Sequence, residues 1–284
     1  MKCTIQKADF ADIHTDIIRS ESIGNGVQKM GYKSRVDWCD STWSPVTGCL
    51  HGCEYCYARR IAERFGSNLM PIFTNYPVLD EPVRSVGFDG EKIQPYPFDF
   101  TPTFHRYKLD TPHHWKKPRN IFVCSMADLF GEWVPDAWIE TVINACLAAP
   151  QHRYLFLTKN PARYIKLAEK NNLPDADNMW YGSTTTTPET EFFFSSRHNT
   201  FLSVEPILKP FADSLGGGVQ ACEKTDWIII GAETGSRKDK VAPKASWIMD
   251  IVQNAETTNT PVFMKESLRD LMGDDFRQEF PWEV

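Results

Sequence analysis

Arg119-Asn-Ile-Phe-Val-Cys-Ser-Met-Ala-Asp-Leu-Phe130 opens with a short apolar run, Ile121 to Cys124, and turns polar at Ser125 and Asp128 as that run ends. An amphipathic stretch from Asp136 to Ala148 leads to the next run, Tyr154-Leu-Phe-Leu157, and another from Pro161 to Lys170 leads towards Met179-Trp-Tyr-Gly182. Apolar runs of strand length alternating with longer amphipathic stretches are the pattern of βα units around a parallel sheet. Thr200-Phe-Leu-Ser-Val204, Trp227-Ile-Ile-Ile230 and Pro261-Val-Phe-Met264 continue the rhythm towards the C-terminus. The helix starts are marked by Pro135-Asp136 and by the cap-then-proline order of Asn160-Pro161.

Working outward, a first strand near Arg35 to Trp38 and a helix from Tyr57 to Phe65 bring the count to about seven βα-like units. That is more than a flavodoxin-like sheet needs and slightly short of a closed eightfold barrel. Residues 66–118 break the rhythm, being rich in proline and aromatics and poor in helical periodicity. They read as an irregular insertion beside the barrel, covering its side or serving as a substrate-facing lid. The expectation is a single α/β domain over residues 1–284.

The chain has 284 residues, 42% of them hydrophobic, enough for one barrel-sized core, and its net charge of −6 gives no global attraction to nucleic acid. Lys116, Lys117 and Arg119 still form a local basic stretch suited to phosphate contacts. No run approaches the roughly 18 apolar residues of a membrane span, and Met1 to Lys7 lacks the apolar core of a signal peptide. The expectation is a soluble, cytoplasmic protein without a membrane partner, its eight cysteines reduced. Cys124 and Cys146 lie in apolar runs and read as small core hydrophobes. Cys39 reads as a strand-end packing residue or a thiol on the substrate side, and Cys3 and Cys222 have no partner spacing.

Thr47-Gly-Cys-Leu-His-Gly-Cys-Glu-Tyr-Cys-Tyr-Ala58 places Cys49, Cys53 and Cys56 in one loop at the spacing C-x3-C-x2-C. A closed zinc site wants four ligands and an ordinary iron–sulfur cluster four thiolates, so three thiols suggest a metal centre with one position open. His51 lies between these cysteines, but the three-thiol pattern is complete without it. His105, His113 and His114 match no metal-ligand spacing.

This spacing, with aromatic Tyr55 directly before the third cysteine, resembles the signature loop of the radical S-adenosylmethionine (radical SAM) superfamily. The resemblance implies a [4Fe-4S] cluster on Cys49, Cys53 and Cys56, with the fourth iron chelated by SAM and Tyr55 among the cofactor-binding residues. It implies reductive cleavage of SAM, hydrogen abstraction from a substrate, and an electron donor such as flavodoxin or ferredoxin. The fold it implies is a partial (β/α)6 TIM-like barrel, with the seventh strand as an extension. The longer stretches Trp43 to Arg60 and Cys124 to Phe130 resemble a phage-associated family of radical-SAM-like proteins with no settled reaction. That likeness implies a nucleotide or nucleic-acid base as substrate, with peptide modification as the runner-up.

Parallel α/β folds build their sites where loops leave the C-terminal ends of the strands. Here those ends carry Ser125 and Asp128, Thr158 and Lys159, Ser183 to Thr187, Glu205, and Gly231-Ala-Glu233-Thr-Gly235. One polar residue is an ordinary strand terminator, but five such ends in succession suggest a shared pocket. Under the resemblance, Ser125 and Asp128 fall near the SAM amino group, and Ser183 with Thr184 or Glu205 near its ribose and carboxylate. Gly231 falls at the adenine, because glycine lets a planar ring approach the main chain. Lys159 and Glu233 are the candidates for substrate chemistry, binding an anion or moving a proton. Asp128 and Asp136 read equally as helix caps. One of Arg59 and Arg60 would neutralise the cluster or the SAM carboxylate while the other faces water. The alternative is a non-catalytic zinc or iron–sulfur module acting on nucleic acid or protein, with Cys39 as fourth ligand. Against it, a chain with an ample core has no need of a metal staple.

Overall fold

A computed structural model describes residues 36–67, 69, 76–87, 90–211, 222–235 and 237–283, so Cys3 and Arg35 lie outside the described residues. Contacts divide the chain into Met1–Tyr32 and Lys33–Val284, and everything described belongs to the second unit.

The strands are β1 (Ser41–Trp43), β2 (Val46–Thr47), β3 (Val78–Leu79), β4 (Arg84–Gly87), β5 (Gly90–Ile93), β6 (Thr103–His105), β7 (Asn120–Val123), β8 (Arg153–Thr158), β9 (Met179–Thr184), β10 (Asn199–Val204), β11 (Ile228–Ile230) and β12 (Val262–Met264). The helices used below are α1 (Tyr57–Phe65), α2 (Thr111–His114), α3 (Asp136–Leu147), α4 (Pro161–Glu169) and α5 (Ala245–Thr258). Seven strands form one sheet in the order β1-β7-β8-β9-β10-β11-β12, every neighbouring pair parallel.

Both faces of this sheet are covered, which explains why its strands read as nearly continuous apolar runs. Side chains alternate between the faces. On the outer face Ile121, Val123, Tyr154, Phe156 and Tyr181 pack with Trp138, Ile139 and Val142 of α3 and with Tyr164 and Leu167 of α4. Ile228, Ile230, Val262 and Met264 pack likewise against Ile248, Ile251 and Val252 of α5. On the inner face Phe122, Leu155, Trp180, Phe201, Ile229 and Phe263 gather around Trp38 and Trp227. The Trp38 ring centroid lies 4.6 Å from Phe122 on β7, 6.0 Å from Phe201 on β10 and 6.3 Å from Trp227 just before β11. One ring can meet strands so far apart in the order only if the sheet curls around it, so the sheet is a half-barrel. Its edges approach each other where the Glu266 N–H, just after β12, donates to Asp37 Oδ2 at 2.8 Å.

Several boundaries differ from the sequence reading. The first strand is Ser41–Trp43 rather than Arg35 to Trp38, because pairing with β7 starts at Asp40, whose N–H donates to Asn120 O at 2.9 Å and whose Oδ2 accepts the Asn120 N–H at 2.7 Å. Trp38 is left free to plug the interior. No helix lies between β9 and β10 in residues 185–198. There Phe193 covers the outer face instead, its ring 5.2 Å from Tyr164. The 66–118 segment is not wholly irregular. β3 and β6 join β2 in a three-stranded sheet, and β4 and β5 form an exposed hairpin. Among the described residues no helix is long and apolar enough to cross a membrane.

Candidate functional site

A cavity of about 410 Å³ opens at the C-terminal ends of the half-barrel strands. The loop of Cys49, Cys53 and Cys56 forms one wall, Trp38, Phe122 and Leu157 lie deep within it, and polar groups from successive strand ends line the rest. Ser125 and Asp128 follow β7, Thr158 and Lys159 end β8, Thr184 ends β9, Glu205 follows β10, Glu233 follows β11 and Lys265 follows β12; all line this one cavity. The shared pocket expected from five polar strand ends is therefore present.

The cysteine loop is pinned from several sides. Gly48 has φ +85°, and a side chain there would put its Cβ 2.4 Å from the Thr101 carbonyl carbon, so glycine alone fits this close crossing. Gly48 N–H donates to Met126 O at 2.9 Å and Cys49 N–H to Phe100 O at 3.2 Å. Cys56 caps α1, its Sγ accepting the Arg59 N–H at 3.3 Å at the positive end of the helix. The Arg59 guanidinium lies over the Phe100 ring, 5.0 Å from its centroid. Arg60 reaches elsewhere: its guanidinium lies against Gly235, where a Cβ would come within 3.1 Å of Nη2. Burial pushes the Cys49 thiol up to about 12, so holding it as a thiolate requires a cation beside it.

Asp128 ties this loop to the sheet. Its Oδ1 accepts the Phe130 N–H at 3.0 Å and the Thr158 hydroxyl at 2.7 Å. Its Oδ2 accepts the Lys159 N–H at 2.9 Å and bonds His51 Nε2 at 2.7 Å. The carboxylate caps no helix, unlike the sequence-based alternative, and four donors already surround the oxygens assigned to the SAM amino group. Its role is to position the loop. Asp136 stands at the start of α3, where its Oδ1 accepts from Arg163 Nη2 at 2.6 Å.

The remaining predicted residues divide. Ser125 lines the cavity, its carbonyl accepting the Tyr57 hydroxyl at 2.7 Å. Tyr55 also lines it, with Lys159 Nζ 5.4 Å from its ring centroid. Burial lowers the Lys159 pKa, against the opposing pull of Cys53 and Asp128. Glu205 forms an ion pair with Lys265. Gly231 is outside the cavity lining, and a Cβ there would come within 3.0 Å of Lys265 Cδ and 3.2 Å of Glu205 Cγ, so this glycine makes room for that ion pair rather than for an adenine. Ser183 points to the outer face, where Phe193 N–H donates to its Oγ at 2.9 Å. Period-two alternation sends Thr184 inward and its neighbour outward.

Glu233 accepts from Arg237 through both oxygens, Nε–Oε1 at 2.7 Å and Nη2–Oε2 at 2.8 Å. That forked pair holds its carboxyl below the usual carboxylate range. Both Glu233 oxygens are thus engaged by Arg237. Arg237 Nη1 also reaches Glu54 Oε2 at 3.3 Å, linking the loop after β11 to the cysteine loop.

The sequence reading missed Trp38, Tyr57, Ser203 and Lys265, all of which line the cavity. Ser203 stood hidden inside an apolar run, and only its register with Phe201, two residues earlier on the same face, marks it as inward.

A single zinc ion draws its thiol ligands to about 2.3 Å. Among the described residues no group of three His, Cys, Asp or Glu side chains is arranged to hold a metal ion. Cys39, the proposed fourth zinc ligand, packs instead with Trp38, Phe122 and Phe201 in the barrel interior. A [4Fe-4S] cluster places each thiolate on its own iron. Cys49, Cys53 and Cys56 are partly exposed and line the cavity together.

Fold and site together define an α/β protein with a parallel half-barrel whose C-terminal mouth is walled by a three-cysteine loop. The chain belongs to the family described as Protein of unknown function (DUF5131), whose model matches residues 33–269. Neither a curated protein nor a solved structure matches it.

Proposed function

We propose that this protein is a radical SAM enzyme, its half-barrel a variant of the partial (β/α)6 TIM-like barrel. The observation that carries the reading is that Cys49, Cys53 and Cys56, at C-x3-C-x2-C spacing, line the same cavity as polar groups from the ends of β7 to β12. Cys49, Cys53 and Cys56 would hold a [4Fe-4S] cluster, leaving one iron for SAM. When bound, the pair supplies reductive cleavage of SAM and hydrogen abstraction from a substrate, with the electron delivered by a flavodoxin or ferredoxin.

The chain's own residues prepare the site. His51 and Asp128 fix the cysteine loop against β8, and Arg237 fixes Glu54 of that loop against Glu233. Ser125 and the Glu205–Lys265 pair offer donors and acceptors for a polar amino-acid and ribose group. Lys159, beside Tyr55, offers a cation for an anionic substrate group. The deep apolar wall of Trp38, Phe122 and Leu157 keeps water from the interior. A nucleotide or nucleic-acid base is the substrate class in keeping with the phage-associated resemblance. The test is anaerobic reconstitution with iron and sulfide, dithionite reduction, and an assay for 5′-deoxyadenosine from SAM. Its formation supports the enzyme, and a colourless protein holding one metal ion overturns it.

A further inference from the structure

Ser203 is 1% exposed, sits on the inner face of β10 and lines the cavity, yet its Oγ has no hydrogen-bond partner. Trp38, 1% exposed and also lining the cavity, has an Nε1 in the same condition. A buried polar group left unpaired costs about 1–3 kcal/mol, so two of them in one cavity point to something that satisfies them. Thr184, paired in register with Ser203 across β9 and β10, adds a second inward hydroxyl beside the first.

The chemistry of these groups restricts the occupant. An indole N–H only donates, so it requires an acceptor, whereas a serine hydroxyl donates or accepts. Trp38 and Phe122 offer flat aromatic surfaces to the cavity and Leu157 an aliphatic one. The carboxylates of Glu205 and Glu233 in the cavity wall are already paired with Lys265 and Arg237. An ionised group pushed to the floor would lose its hydration without a partner. A neutral, flat ring carrying a C=O and an N–H supplies what these groups lack, an acceptor for Trp38 and a donor for Ser203.

Resting on the reading of this cavity as the reaction site, we infer that Ser203, Thr184 and Trp38 form a substrate subsite for a lactam-bearing nucleobase of the uracil or guanine kind. Adenine, which lacks the carbonyl, is discriminated against there, since a site built to hydrogen-bond one group rejects the analogue without it.

The experiment titrates the full-length reconstituted protein with uridine, guanosine and adenosine, followed by calorimetry and tryptophan fluorescence, and repeats it with Ser203→Ala and Trp38→Phe. The expected result is saturable binding of uridine or guanosine, at least tenfold weaker binding of adenosine, and about tenfold weakening of the bound nucleoside by Ser203→Ala, whose ligand-free melting temperature is no lower than that of the wild type. Failure of uridine and guanosine to bind at millimolar concentration, equal binding of adenosine, or unchanged affinity in both variants would overturn the inference. So would a high-resolution structure showing only an ordered water joining Ser203 Oγ to Trp38 Nε1 in the presence of nucleoside. Iron content and 5′-deoxyadenosine are read separately. Nucleoside binding without them removes the radical reading and keeps the subsite, and the reverse pattern removes only the subsite.

Discussion

His51 Nε2 and Asp128 Oδ2 lie 2.7 Å apart, and through this bond a residue of the cysteine loop is held to the end of the β7 strand. The same carboxylate accepts the Lys159 N–H and the Thr158 hydroxyl, so one buried anion organises three segments around the cavity. Replacing Asp128 by Asn keeps the shape but turns an N–H₂ group towards two of its four donors. Asp128→Asn is expected to cost about 2–3 kcal/mol of stability, and His51→Ala about 1 kcal/mol, read from urea midpoints. The double variant should lose less than the sum, because the two changes remove a shared bond.

Glu233 and Arg237 make a second clamp, with the Glu233 side chain 2% exposed and the Arg237 side chain 26%. Arg237→Ala leaves a buried carboxylate without its cation and should lower the urea midpoint of unfolding. Arg237→Lys should recover little of this, since a lysine cannot make the forked contact. Hydrogen exchange supplies the local readout: faster exchange is expected around residues 232–235 and in the cysteine loop at Glu54.

Gly182 faces the barrel interior, where a Cβ would lie 2.3 Å from Phe201 Cζ. Gly182→Ala should therefore overpack the core and lower stability by about 1–3 kcal/mol. Adding Phe201→Leu should restore part of that loss by vacating the space. A Gly182→Ala protein with an unchanged melting temperature would show that the ring does not occupy this position.

His105 is fully buried on β6, its Nε2 2.8 Å from Thr47 Oγ1 and its Nδ1 3.3 Å from the Tyr107 hydroxyl. Burial, aided by the Lys108 cation, holds its pKa well below 6.5. The unfolded chain then binds a proton that the folded chain refuses. Stability from this residue is intact above the ordinary histidine pKa and falls as pH drops below it, by up to about 1.4 kcal/mol per pH unit until the folded pKa is reached. Denaturation midpoints measured between neutral and mildly acidic pH should show this slope, and His105→Gln should flatten it.

The sheet was largely legible because strands buried on both faces read as apolar runs, and β7 to β12 were each recognised within about two residues. β1 was not, since Ser41-Thr-Trp43 is too short and mixed to stand out, while the apolar weight before it belongs to Trp38, a plug and not a strand. The small sheet of β2, β6 and β3 depends on pairing between segments distant in sequence, which no local pattern announces. Cysteine spacing carried the metal-loop reading by itself. Ser183 and Ser203 went the other way: which serine faces the cavity is a matter of strand register, and a one-residue change of register exchanges the faces.

The most direct test of the central claim is the iron content of the anaerobically reconstituted protein beside its Cys53→Ala and Cys124→Ala variants. About four irons per chain are expected in the wild type and in Cys124→Ala, whose thiol lies buried outside the cavity, with loss of the cluster in a still-folded Cys53→Ala. A wild-type chain that takes up one zinc and no iron, or a Cys53→Ala variant that keeps the full cluster, would contradict the account.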